Sequence, residues 1–196
     1  MEDTYLSIDS PSEGFYKEKG SKFLAYAYPV KTEDQVKEKI QELKKKYYDA
    51  RHHCYAFMMG RKMDRFRAAD DGEPGNSAGA PILGQIRSRE LTDVLVVVVR
   101  YFGGTKLGVS GLINAYKTSA AEALENAEII EKIITETLSM TFEYPQMNDV
   151  MKVVKDYDLN ILKQEFTMDC IMEVEVREKL LPEVRAKLEK VDGLRL

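Results

Sequence analysis

The spacing of apolar residues changes period several times along this chain, and each change marks an element. Ser21 to Val30 (Ser-Lys-Phe-Leu-Ala-Tyr-Ala-Tyr-Pro-Val) predicts a strand that Pro29 ends or places at an edge. Thr32-Glu33-Asp34-Gln35 is a capping-box pattern. Val36, Ile40, Leu43 and Tyr47 then recur at helical spacing, so a helix with one buried stripe is expected to about Tyr48. Cys54 to Met59 predicts a second strand and Asp64 to Ala69 a short third one. A loop of turn formers, Asp70 to Gly79, leads into a short helix from Pro81 to Ile86. Thr92 to Phe102 is the expected central strand, because Val94-Leu95 and four consecutive valines form a run suited to burial on both faces. Val109 to Ala127 follows as a second long helix, with Leu112, Tyr116, Ala120, Ala123, Leu124 and Ala127 toward the core. Ahead of all these, the polar stretch Thr4 to Glu13 reads as a loose lead-in.

Near Thr135 to Leu138 the pattern restarts. A strand (Thr137 to Tyr144), a helix (Asn148 to Tyr157), and two strands (Asn160 to Thr167 and Met168 to Val176) joined by a tight turn come first. A helix (Leu180 to Val191) and a last strand at Leu194 complete the ferredoxin-like order β-α-β-β-α-β. The expectation is an α+β protein of two domains, residues 1–136 and 137–196. In the second, Cys170, Met172 and Val174 form an apolar strand face, and the face carrying Ile171, Glu173 and Glu175 is acidic.

Composition narrows the function classes. With 29 basic against 33 acidic residues the net charge is −4, and neither half is basic overall. A strong non-specific attraction to nucleic acid is therefore not expected, while a local basic patch remains open. The N-terminus has neither the positive flank nor the apolar stretch of a secretory signal. No run approaches the ~20 apolar residues of a membrane span. Cys54 and Cys170 lack metal spacing and read as reduced thiols, so a cytoplasmic protein is expected.

Three clusters carry candidate chemistry. Gly103-Gly104-Thr105-Lys106-Leu107-Gly108 lies between a strand and a helix, where backbone N–H groups and the helix dipole favour an anion. Its lysine is not followed by Ser or Thr after the last glycine, so no Walker-type ATP site is supported. The turn is either a phosphate or carboxylate nest, with Lys106 and Arg100 as charge partners, or a sharp bend that glycine permits. Asp70-Asp71-Gly72-Glu73 offers carboxylates that could bind a divalent metal, do acid–base work or accept from arginine and backbone donors, or else form a solvated turn. His52 and Cys54 share one strand face, as a base and nucleophile would, yet Cys54 followed by Tyr-Ala-Phe also reads as buried packing. No Cys-x-x-Cys or His-x-x-x-His accompanies these clusters to support a transition-metal site, and the expectation is no metal and no cofactor.

Taken together, the motifs resemble a known signature. Asp70-Asp71-Gly72-Glu73-Pro74 with Ala78-Gly79 and Arg100-Tyr101-Phe102-Gly103-Gly104 resemble two motifs of the YigZ/Impact family. So do Lys106-Leu107-Gly108 and Gly111-Leu112 with Ala115-Tyr116, while His52, Cys54 and Ala56 fit the family's first motif. This chain departs at Gly75-Asn76-Ser77, where the family usually has Ser-Gly-Thr, and at Asn114, where it often has arginine. The resemblance implies a first domain folded like the second domain of ribosomal protein S-five and domain IV of elongation factor G. It implies a second domain like the ferredoxin-like domain V of elongation factor G. Eukaryotic Impact proteins regulate translation, through a role that depends on a separate N-terminal module.

Besides partner binding through the exposed sheet face of the C-terminal domain, two functions stay open at this point. One is a regulatory binding protein whose partners are the ribosome, a translation factor or structured RNA. The other is an enzyme or binder of small anions or phosphates in which the two loops meet. The candidate residues are His52, Asp70, Asp71, Glu73, Arg100, Tyr101, Gly103, Gly104, Lys106 and Gly108. In the second reading the carboxylates stand opposite Arg100 and Lys106. The same contacts could also lock the loops together with no ligand.

Overall fold

A computed structural model describes residues 3–196. Its elements run β1 (Thr4–Ile8), β2 (Ser12–Glu18), β3 (Ser21–Pro29), α1 (Glu33–Lys46), β4 (His52–Met59), β5 (Arg65–Ala69), α2 (Gly79–Ser88), β6 (Val94–Tyr101) and α3 (Gly108–Glu125). They continue with β7 (Ile129–Ile133), β8 (Thr135–Phe142), α4 (Met147–Asp156), β9 (Asn160–Phe166), β10 (Cys170–Arg177) and α5 (Leu181–Glu189). The architecture is α+β in two units. One comprises Tyr5–Lys132; the other comprises Ile133–Leu196 with Asp3 and Thr4.

The first unit is built on a five-stranded antiparallel sheet in the order β2-β3-β6-β4-β5. Its middle strand explains the valine run. Val94, Val96 and Val98 join the core beneath α2 and α3, while Leu95, Val97 and Val99 join a second core beneath α1. All six are fully buried, as a strand covered on both faces requires. Helix α1 begins where the capping box placed it, with Gln35 N–H donating to the Thr32 hydroxyl at 3.2 Å. Strands β2 and β3 form a hairpin around Lys19 and Gly20, whose positive φ values of 48° and 80° suit a two-residue turn.

The N-terminal stretch is not a loose lead-in. Thr4–Ile8 pairs with β7, and Ser12–Glu18 is an edge strand of the main sheet. Tyr5, Leu6 and Ile8 are good strand formers among polar residues, but their partner lies more than 120 residues away and leaves no local signature. Gly14 marks where α3 crosses this sheet, since a Cβ there would lie 2.4 Å from the Ala123 nitrogen.

In the second unit β8, β10 and β9 form an antiparallel sheet whose apolar face packs with α4 and α5. The expected strand at Leu194 is reduced to one bridge, in which Thr141 and Arg195 exchange backbone hydrogen bonds at 2.8 and 2.9 Å. That bridge lies on the free side of β8, giving the ferredoxin-like spatial order with a vestigial fourth strand. The turn between β9 and β10 takes residues 167–169 rather than a direct junction. Asp3 belongs to this unit. Its carboxylate takes hydrogen bonds from Arg177 Nε at 2.6 Å and Nη2 at 2.8 Å.

Candidate functional site

Strand alternation decides what the end of β6 presents. Arg100 points to the α2/α3 side and lies opposite Phe23 of β3 and His52 of β4. Tyr101 points to the other side, where its hydroxyl donates to Asp49 Oδ1 at 2.8 Å and its ring meets Tyr47 edge-on. Burial, then the Asp49 contact, pushes its pKa up to about 12. Tyr101 therefore takes no part in the site around Arg100.

The carboxylates of residues 70–73 divide into two roles. Asp70 is the organiser of its loop. One oxygen accepts from the Gly79 and Ala78 N–H groups at 2.8 and 3.2 Å, satisfying the first donors of α2, and the other accepts from Asn76 N–H at 2.9 Å. Asn76, where the glycine of the family motif has moved, holds the positive φ of 63° that this bond needs. Asp71 accepts from the His53 backbone N–H at 2.7 Å. Neither is in the wall of the cavity at the start of α3. Only Glu73 reaches Arg100, so the expected opposition of all three carboxylates to Arg100 and Lys106 shrinks to one.

Glu73 is the centre of a buried polar network. Its Oε1 accepts from Arg100 Nη1 at 2.5 Å and from the Tyr116 hydroxyl at 2.7 Å, and it lies 3.6 Å from His52 Nε2. His52 Nδ1 is 2.7 Å from the Asp71 carbonyl, which can only accept. The proton of neutral His52 therefore sits on Nδ1, leaving Nε2 as the basic atom on the Glu73 side. Arg100 stacks against Phe23 and Phe102, with guanidinium-to-centroid distances of 5.5 and 5.7 Å. Its Nε is buried with no partner.

Cys54 lies beneath this network. Its thiol donates to the Asp70 carbonyl at 3.0 Å, with the Tyr116 hydroxyl 3.4 Å away. Burial pushes the Cys54 thiol far above the ordinary range, and the Glu73, Asp71 and Asp70 charges push the same way. Burial likewise raises the Tyr116 hydroxyl, helped by Cys54 and Glu73. His52 is bonded to the Asp71 carbonyl and the Cys54 thiol to the Asp70 carbonyl, so the two side chains are engaged with the loop rather than with each other.

The glycine turn is shaped by close approach. A Cβ on Gly103 would come within 2.0 Å of the Gly20 carbonyl carbon, and Gly103 N–H donates to Ser21 Oγ at 3.1 Å. Gly104 and Gly108 both have positive φ, 91° and 74°. Helix α3 then starts with no side-chain cap and no acidic residue in its first turn. Its opening residues, with Arg51, His52, Glu73, Arg100, Phe102 and Lys106, wall a cavity of about 510 Å³. Gly108 is in the wall, while Gly103 and Gly104 only shape the approach.

Sequence reasoning missed Arg51 and Phe102 as wall residues. Arg51 precedes a motif histidine, and its guanidinium stacks over Phe102 at 5.6 Å. Phe102 lies inside a motif, and a phenylalanine 42% exposed beside two arginines is a signal that only the structure displays. Asn114, where the family often has arginine, contacts the Tyr16 hydroxyl at 3.4 Å and does not wall the cavity. No group of His, Cys, Asp and Glu among the described residues is arranged to hold a metal ion. No helix among them is long and apolar enough to cross a membrane.

Comparison with known proteins places this arrangement. The Impact N-terminal domain profile matches residues 19–124, and IMPACT family member YvyE of Bacillus subtilis (strain 168) is 31% identical over 176 residues, covering 90% of this chain and 81% of YvyE. The chain belongs to the Impact family. IMPACT family member YigZ of Escherichia coli (strain K12) is 28% identical over 172 residues, 87% of this chain and 84% of YigZ. A crystal structure of a hypothetical protein is 26% identical with a TM-score of 0.76, covering 100% of this chain and 97% of the other. Every wall residue of the cavity falls inside the segment that matches the Impact domain.

Proposed function

We propose that this Impact-family chain is a regulatory RNA-binding protein of the translation apparatus, and that the cavity before α3 seats one nucleotide. The phosphate would lie between Lys106, Arg51 and the open amides of α3, and the base would stack on Phe102. One observation carries the reading. In a chain of net charge −4, cations and an uncapped helix start gather around an exposed aromatic ring, with Glu73 as the lone carboxylate in the wall. That combination suits a single-stranded nucleotide, whose charge and ring face are both presented, better than a duplex. The link to translation comes from the family resemblance.

The test is binding of a fluorescent single-stranded RNA together with co-sedimentation on ribosomes. Arg51→Ala with Lys106→Ala is expected to weaken RNA binding about tenfold or more, since each removes a phosphate contact. Equal affinity of variant and parent for RNA, with unchanged co-sedimentation, would refute the assignment.

A second reading has its own observation. His52 has Nε2 basic and beside the cavity, with Nδ1 anchored, which is the posture of a general base. In that reading a small phosphate ester is turned over. Release of phosphate or nucleoside that is abolished by His52→Ala would establish it, and binding without turnover would exclude it.

A further inference from the structure

Strand β9 is the free edge of the second unit's sheet, and its chemistry is close to a palindrome. Leu162-Lys163-Gln164-Glu165-Phe166 runs apolar, positive, neutral, negative, apolar. The strand pairs with β10 on one side, and among the described residues no other backbone hydrogen bond involves residues 160–166. Every residue of β9 except Ile161 is exposed, Leu162 by 49% and Phe166 by 55%. The core beneath α4 and α5 draws on β8 and β10 and takes only Ile161 from β9. Register fixes the faces. Gln164 and Phe166 lie opposite Met172 and Cys170 on the helix side, while Lys163 and Glu165 lie opposite Glu173 and Ile171 on the open side. Lys163 and Glu165 form an ion pair at 3.0 Å, each about half exposed.

Charge on an edge strand usually discourages pairing with other chains. Strand β5, an edge of the main sheet, follows that rule. Arg65 and Arg67 flank Phe66, so a second copy laid antiparallel about Phe66 would set arginine against arginine. Strand β9 is built the other way. A two-fold axis that keeps both helix faces on the same side must pass through a residue of the strand. Through Lys163 or Glu165 it sets like charges opposite each other, which is unfavourable. Through Gln164 it sets Lys163 opposite Glu165 of the second copy, twice, and Leu162 opposite Phe166 of the second copy, twice. With Glu173 of β10 next to Lys163, charges then alternate in sign across the joined sheets.

We propose that β9 is a docking edge for a second copy of this chain, which pairs antiparallel about Gln164 and joins the two sheets into one. The contact is isologous, so it closes at a dimer and does not propagate into a filament. A bulge sets its length. The register with β10 steps from Lys163–Glu173 to Ile161–Val174 and leaves Leu162 as the extra residue, where regular pairing ends. The short stretch from Leu162 to Phe166 therefore meets its copy. An interface that small is weak, with a dissociation constant on the order of 10–100 µM. Any strand can add to an open edge, but the reversed charge order that this edge calls for is supplied by its own copy.

The test is sedimentation velocity on the full chain at about 1–500 µM, a range that brackets weak interfaces. The parent is expected to pass reversibly from monomer to dimer across it. Lys163→Glu and Glu165→Lys each set like charges opposite at two positions, and each should weaken self-association about tenfold or more. Mixed in equal amounts, the two variants should associate with each other, because every cross-strand charge pair is then opposite in sign. Lys163→Glu with Glu165→Lys in one chain restores the charge order and should recover the parent's dimer within about threefold. Mixing cannot repair a fold damaged by a single change, so the mixture reports strand pairing. A parent that stays monomeric throughout would overturn the proposal and leave the edge to another protein. Two variants that fail to associate on mixing would overturn it as well. So would single variants that self-associate like the parent, which would place the dimer contact elsewhere.

Discussion

Glu73→Gln tests the polar network that walls the cavity. Gln keeps an oxygen where Arg100 Nη1 and the Tyr116 hydroxyl now donate at 2.5 and 2.7 Å, so shape and bond count survive and only charge is lost. A hydrogen bond to a charged group is worth about 1.5–3 kcal/mol and one between neutral groups about 0.5–1.5 kcal/mol. The Arg100 bond keeps its guanidinium charge, so the two bonds together lose about 2 kcal/mol. Stranding a buried arginine without its counter-ion costs about 3–5 kcal/mol, with the lower end fitting a pair that borders a cavity. Both routes converge on about 2–3 kcal/mol. Urea unfolding followed by far-UV circular dichroism is the assay, because guanidinium would screen the pair and the chain has no tryptophan to report by fluorescence. At about 2 kcal/mol per molar of urea, the midpoint of the transition should fall by roughly 1–1.5 M. Glu73→Ala should fall further, since it also leaves the buried Tyr116 hydroxyl without an acceptor. Joint replacement by Glu73→Leu and Arg100→Met should cost less than the two single changes added, which is the signature of a coupled pair. A Glu73→Gln midpoint within about 0.2 M of the parent would refute the reasoning and show the pair to be screened by solvent.

Other outcomes follow from single residues. The Arg177 hydrogen bonds hold Asp3 at a pKa of about 2, below its ordinary 3.8, so its stabilising contribution is present above 3.8 and disappears as pH falls through about 2. Asp3→Asn should therefore lower the melting temperature at neutral pH, with the difference from the parent closing between pH 4 and 2. Cys54 and Cys170 are both buried, so a thiol reagent at pH 8 should label neither until denaturant is added. Labelling of Cys54 in the folded chain would contradict its burial beneath the Glu73 network. Gly103→Ala places a Cβ 2.0 Å from backbone that cannot yield cheaply, and it should cost several kcal/mol, on the order of 3, in the same urea experiment.

How much the sequence displayed depended on whether the signal was local. The valine run, the Thr32 cap and the helical stripes each act within a few residues, and those elements stand where the periodicity placed them. Strands β1 and β7 gain stability only by meeting each other across the length of the first unit, so neither announces itself. The vestigial strand at Arg195 fails differently, since Leu194 continues the pattern while only one bridge forms. At the site, residue type singled out Glu73, Arg100, His52 and Lys106. It could not separate Asp70 and Asp71 from Glu73, because three adjacent carboxylates look alike until backbone geometry aims them. Tyr116 was legible as a core residue of α3, but its hydroxyl contact with Glu73 required the fold.

The pairing of Asp3 with Arg177 joins residues 174 apart in sequence. During vectorial synthesis the Asp3 carboxylate emerges 174 residues ahead of Arg177 and waits, hydrated, until that arginine has left the exit tunnel. No chain that stops short of Arg177 can complete this contact, so the pair acts as a late clasp that closes only on a chain extending at least that far. A C-terminal fragment beginning at Ile133 lacks the other half of the clasp, and should be restored in part by a short peptide bearing Asp3 added in trans.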